Sequence, residues 1–239
     1  MGVPAVVRGE ADRCRGVRLW AMKNAGFVAV TAALLLAGSG HLGWRAAWAY
    51  LGYLVAYLTL LGILLYRLHP DLLAERSGVQ EGSEHWDVPL ASLSAVWLPL
   101  VLYLTAALDE QFAWPATIGW PVQAVGAVLV LSGSALVLMA MAANAYFSAV
   151  VRVQTDRGHV VVMSGPYRLV RHPGYFGAVL LYPGVAFVLA SAWALLPAVA
   201  VVVLTCLRTA LEDRFLKAQL GGRQDYARRV RYRLLPGLW

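Results

Sequence analysis

The chain alternates long apolar blocks with charged connections, and that pattern leaves few folds open. Six apolar segments stand out, at about 22–39, 46–66, 88–108, 121–143, 174–190 and 193–211. A helix rises about 1.5 Å per residue, so about 20 residues cross a hydrocarbon core of about 30 Å. The first four blocks meet that length. The fifth is short and is parted from the sixth only by Ala190-Ser191-Ala192, which predicts a tight helical hairpin with Trp193 near the interface. The expected fold is all-α: a polytopic integral membrane protein of about six helical segments, the last two forming a hairpin. Composition agrees, with 60% hydrophobic and 14% charged residues, against roughly 25% charged in a soluble domain.

Charge predicts the orientation. Of the 20 Lys and Arg, 19 fall in the N-terminal tail, the second and fourth connections, and the C-terminal region from Arg208; Arg45 is the exception. The positive-inside rule puts those regions, and so both termini, in the cytoplasm. The net charge of +7 is matched by anionic lipid headgroups, so the lipid bilayer is the expected partner and no nucleic acid is needed. Residues 1–18 are polar and basic, and no cleavable signal is evident. Cys14 and Cys206 form neither a metal spacing nor a disulfide pattern. His69-Pro70-Asp71 and Glu81, Glu84, His85 and Asp87 in the second connection fit no metal motif and read as a solvated or amphipathic interfacial loop; no metal is expected.

The chain divides into two functional parts. Residues 1–143 read as tail and transmembrane scaffold, and 144–239 as the chemically active region. Ser148–Val153 and His159–Met163 alternate in a partly strand-like way around Asp156-Arg157-Gly158, which predicts a small hairpin or an ordered loop on the helices. Next comes GPYRLVRHPGYFG, Gly165–Gly177. Pro173 suits the first helical position, so the fifth span is expected to start there with His172 at its cap. Gly174 and Gly177 leave one face of the first turn bare, open to another helix or a ligand. The free N–H groups of a helix start favour an anion.

In the sixth span Arg208 and Glu212 are four apart, on one helix face. Arg208 lies inside the apolar run, where an ionisable side chain is a functional candidate. The hairpin should bring both to His172 and Tyr175, building a polar pocket at the cytoplasmic interface. Glu212-Asp213-Arg214 taken alone would be a solvated pair at a helix exit.

Residues 140–239 resemble the isoprenylcysteine carboxyl methyltransferases and their relatives, the membrane phospholipid methyltransferases. The resemblance rests on the Gln154 loop, His159-Val160-Val161-Val162, Ser164-Gly165-Pro166-Tyr167, Arg171-His172-Pro173-Gly174-Tyr175-Phe176-Gly177, Arg208 with Glu212, and Tyr226 with Arg229-Val230 and Pro236. It implies methyl transfer from S-adenosylmethionine with no Rossmann domain. By position it implies that Gln154, the backbone of His159, Val160, Val161 and Val162, then Tyr167, His172, Pro173, Gly174, Tyr175 and Glu212, hold the cofactor. Arg208 would face the methyl acceptor, and His172 would be the base where one is needed. The implied acceptor is a lipophilic or small molecule, with a carboxylate on an isoprenylcysteine-like group favoured. The family's run of glutamates is reduced here to Glu212-Asp213. The Ala/Val/Arg/Leu-rich composition points to a bacterial inner membrane. Two other readings compete: an NADPH-dependent sterol or steroid reductase, which shares an Arg-His-Pro-x-Tyr string, and a non-enzymatic transport or assembly protein.

Overall fold

The computed structural model describes residues 10–116 and 118–239. Arg8 and the side chain of Arg13, part of the basic tail, lie outside the described residues. The helices are α1 (Glu10–Gly38), α2 (Arg45–Leu68), α3 (Pro70–Glu75), α4 (Asp87–Ser92), α5 (Leu98–Phe112), α6 (Trp120–Ala143), α7 (Pro173–Val188), α8 (Leu195–Gln219) and α9 (Arg223–Arg229). A π turn, Leu93–Trp97, joins α4 to α5 in one continuous apolar helix. The six expected segments therefore coincide with α1, α2, α4–α5, α6, α7 and α8. Five are long and apolar enough to cross a membrane, and α7 has 16 residues. The main departures are at helix ends: α1 begins well before its apolar block and α8 continues through Gln219. A helix does not stop where its apolar face does, because its backbone bonds are indifferent to what the side chains carry.

Among the described residues there is no strand. The alternation in 148–153 and 159–163 belongs to an ordered loop, turned by a 3-10 segment at Thr155–Arg157 and by Gly158 at φ 64°. Its first arm bonds to the second connection: Val151 N–H donates to Asp87 at 2.8 Å, and Glu84 N–H donates to Val151 at 2.8 Å. Alternating side chains here mark a chain laid over helices, not a sheet edge.

Glycine brings α6 and α7 together. A Cβ on Gly133 would lie 2.5 Å from the Gly177 carbonyl oxygen, and one on Gly126 would lie 2.8 Å from that of Gly184. The pairing of 126 with 184 and 133 with 177 makes the two helices antiparallel, with backbones in contact at two levels, as small residues permit between membrane helices. So the bare face of Gly177 serves helix packing. Gly174 faces the Phe147 ring, which a Cβ would meet at 2.4 Å.

α7 and α8 form the expected hairpin. Its link is pinned by the Ser191 hydroxyl, which donates to Asp109 at 2.6 Å and accepts from Ala194 N–H at 3.1 Å. Trp193 donates to the Pro115 carbonyl at 3.0 Å. At the other end the C-terminal tail folds back: Arg171 and His172 N–H donate to the Tyr232 and Arg233 carbonyls at 3.0 and 2.9 Å.

Candidate active site

The start of α7 forms a lip. His172 is its cap and Pro173 its first residue. The amides of Gly174 and Tyr175 have no partner among the described residues, as expected of a first turn. The Tyr175 hydroxyl donates to Glu212 at 2.6 Å. The His172 ring stacks parallel to that of Tyr175, with centroids 5.8 Å apart, and its Nδ1 lies 3.8 Å from Glu212. The hairpin thus unites His172, Tyr175 and Glu212 from opposite ends of two helices.

Arg223 Nη2 stands 3.2 Å from His172 Nε2. A guanidinium only donates, so Nε2 accepts and the ring proton sits on Nδ1, toward Glu212. Burial holds the His172 pKa below its ordinary value, against the pull of Asp213 and Glu212. His172 is therefore neutral and offers an N–H toward Glu212. Arg223 is buried, and its Nε has no hydrogen-bond partner.

Behind the lip lies Asp213, fully buried. Arg171 grips it with two bonds of 2.9 and 3.0 Å, and Lys217 and Arg233 add contacts at 2.9 and 3.1 Å. Arg171 Nη1 also donates to the Val230 and Arg231 carbonyls at 2.8 and 2.9 Å. Asp213 is thus no solvated helix-exit residue. It ties α8, the His172 string and the C-terminal tail into one unit.

The loop supplies the opposing wall. Val160, Val161 and Val162 have no backbone partner among the described residues, and they line the cavity with His159. His159 stacks on Tyr146 at 4.5 Å. Burial, reinforced by Arg223, Arg157 and Arg152, lowers its pKa to about 4. Gln154 is buried away from the cavity, and its amide donates to the Tyr146 carbonyl at 2.8 Å. It braces the loop rather than lining it. Tyr167 lines the wall, with its hydroxyl accepting from Asn144 at 3.1 Å, and burial raises its pKa.

Arg208 finds a partner outside the C-terminal region. Its Nε and Nη2 donate to the two oxygens of Asp87, each at 2.7 Å, and its guanidinium lies over the Tyr175 ring at 5.3 Å. Arg152 grips Glu75 in the same bidentate way at 2.8 and 3.0 Å. Asp87 and Glu75 are fully buried. The expectation of a solvated second connection fails for Asp87, and Glu75 is buried likewise: each is the counter-ion that lets an arginine lie at depth. No spacing rule signals such pairing. The faint cue was a carboxylate directly before an apolar block, as Asp87 stands.

Together these elements enclose a cavity of about 750 Å³. Its lining includes His159 to Val162, Tyr167, His172, Gly174, Tyr175, Arg208 and Glu212; Gln154 and Pro173 stand behind it. From the lip it continues inward between α1, α2 and α5, past Phe27, Leu54, Leu58 and Leu100 to Tyr50 and Tyr103. A polar mouth thus opens into an apolar interior. Among the described residues no group of three or more His, Cys, Asp or Glu is arranged to hold a metal ion.

Two probable protein-S-isoprenylcysteine O-methyltransferases of rice, from Oryza sativa subsp. indica and subsp. japonica, are each 34% identical to this chain over 73 residues. The similarity covers 30% of this chain and spans 38% of the length of those relatives. Residues 122–223 match the phospholipid methyltransferase family. That range runs from α6 to Arg223 and contains the loop, the lip and Glu212. The segment that builds most of this site is therefore similar to the phospholipid methyltransferase family, set in a multi-pass helical membrane protein.

Proposed function

We propose that the protein transfers a methyl group from S-adenosylmethionine to a lipophilic or small acceptor at the membrane–cytoplasm interface, with the carboxylate of an isoprenylcysteine-like group as the favoured acceptor. The observation that carries this reading is the Tyr175–Glu212 bond of 2.6 Å at the mouth of a cavity whose far end is apolar. A polar cofactor and an apolar acceptor have to meet at such a junction.

The residues present fit the cofactor. The unpaired backbone edge of Val160–Val162 offers donors and acceptors to a heteroaromatic base. Glu212 accepts hydrogen bonds from hydroxyl or amino groups. The free amides of Gly174 and Tyr175, with the orphaned Nε of Arg223 nearby, suit a carboxylate. When bound, S-adenosylmethionine supplies an activated methyl group. The protein's task is to hold the acceptor in line, close and free of water, which contributes up to about 7–11 kcal/mol in well-oriented systems. A carboxylate acceptor needs no general base. His172, with Nε2 engaged by Arg223, is suited to holding rather than deprotonating. Arg208 forms the wall between the lip and the inner cavity. The charge asymmetry supports a cytoplasmic site and cytoplasmic termini, in a bacterial inner membrane.

The test is calorimetric titration of the purified protein in detergent with S-adenosylhomocysteine and, separately, with NADPH. Saturable S-adenosylhomocysteine binding that Glu212→Ala removes is the expected result. Binding of NADPH in its place overturns the reading in favour of a reductase.

A further inference from the structure

Among the described residues the cavity wall carries six cationic side chains, Lys23, Arg76, Arg152, Arg171, Arg208 and Arg223, against the one carboxylate of Glu212. Most are neutralised from behind. Arg152 has Glu75, Arg171 has Asp213 and Arg208 has Asp87, while Arg223 lies 3.6 Å from Asp213. Lys23 is exposed and donates to the Ser77 carbonyl, where solvent screens its charge. Arg76 is different. It is partly buried, Nη1 donates to the Phe147 carbonyl at 3.1 Å, and the guanidinium lies 5.5 Å from the centroid of the Phe147 ring. No carboxylate among the described residues pairs with it. A partly desolvated guanidinium without a counter-ion is costly, and burial lowers its pKa.

Its position gives that cost a use. The Phe147 ring that Arg76 covers packs directly on Gly174 in the first turn of α7, so Arg76 stands one aromatic ring from the lip. Tyr57, on the same cavity wall, has a hydroxyl that bonds to no described residue. Beyond them the cavity is apolar, toward Phe27, Leu54, Leu58 and Leu100.

We infer that Arg76 is the receptor for the carboxylate of an amphiphilic acceptor whose apolar body fills the inner cavity. Arg208, its fork already filled by Asp87, shapes the wall and does not take that charge. The assignment rests on the methyltransferase reading for the reaction but makes a binding claim of its own. A carboxylate seated at Arg76 completes an ion pair that the fold leaves open, and it does so beside the lip.

The probes are oleate and its neutral amide, oleamide, titrated into the detergent-solubilised protein saturated with S-adenosylhomocysteine. The wild type should bind oleate about tenfold or more tighter than oleamide, the scale of one charge-assisted contact net of solvation. Arg76→Gln should remove that preference while S-adenosylhomocysteine and oleamide bind as before. Arg76→Lys should restore part of it. A preference that survives in Arg76→Gln, or a wild type that does not prefer oleate, overturns the assignment. Failure of the wild type to bind S-adenosylhomocysteine in its own titration sinks the methyltransferase reading instead; oleate against oleamide, titrated without it, then decides the Arg76 claim alone.

Discussion

Arg208 and Asp87, 121 positions apart in the chain, meet through two hydrogen bonds of 2.7 Å each. The pair joins α8 to the start of α4 and is buried on both sides. One partner comes from the region that matches the methyltransferase family and the other from the half that does not. The N-terminal helices are therefore part of the wall that positions Arg208.

That pair should be strongly coupled. Asp87→Asn and Arg208→Gln should each destabilise the protein by about 3–5 kcal/mol, because each strands a buried charge. The double variant should lose less than the sum, by a coupling of about 0.5–3 kcal/mol. Unfolding in detergent, followed by near-ultraviolet circular dichroism, measures all three. Additive losses would show that the two residues act independently.

Glycine contact between α6 and α7 sets a second expectation. Gly133→Ala introduces a Cβ 2.5 Å from the backbone oxygen of Gly177, which no side-chain rotation relieves. Overpacking of this kind costs about 1–3 kcal/mol. Gly52→Ala, where nothing lies within 4 Å of the added carbon, serves as the control. Thermal midpoints should fall for the first variant and hold or rise slightly for the second.

The lip should divide cofactor binding between two residues. Glu212→Ala should reduce S-adenosylhomocysteine affinity by a hundredfold or more, on the order of one to two charge-assisted bonds. His172→Phe keeps the stack on Tyr175 and removes the ring nitrogens, and should cost about tenfold. Unchanged affinity in His172→Phe would take the imidazole out of the pocket.

Acid should weaken the loop before the bundle. His159 is held neutral, its pKa lowered from 6.5 to about 4 by burial and then by Arg223, Arg157 and Arg152. The unfolded chain takes up the proton first, so the contribution of His159 is complete above pH 6.5 and is lost as pH falls from about 6.5 toward 4. His172 is lowered too, by burial, and acts in the same sense. His159→Phe should flatten part of this acid dependence while keeping the stack on Tyr146. Amide hydrogen exchange of residues 154–162 at pH 7 and pH 5 reads it locally.

Much of the site could be read along the chain. Pro173 marks the helix start because its ring sets φ and its missing N–H is not needed there. Arg208 and Glu212 share a face because 3.6 residues make a turn. These are local rules, and the α7–α8 hairpin followed from the shortness of its link. Gln154 shows their limit. The resemblance put it among the cofactor ligands, yet its side chain is spent on the Tyr146 carbonyl, a choice made by a loop conformation that no periodicity encodes.

The sequence by itself determined where the apolar segments lie, where α7 begins, and which titratable groups crowd toward the C-terminal half. Hydrophobic run length and backbone sterics act over a few residues and leave their mark in order. Only the tertiary structure decided which charges are neutralised. Asp87 looks solvent-bound in the sequence, yet it is fully buried against Arg208, as Glu75 is against Arg152. Arg76 looks like any basic residue flanking a span, yet it faces the cavity with no carboxylate partner among the described residues. Electrostatic partners are chosen by proximity in space at low dielectric, across separations such as 77 and 121 residues, and that information exists only once the helices have packed.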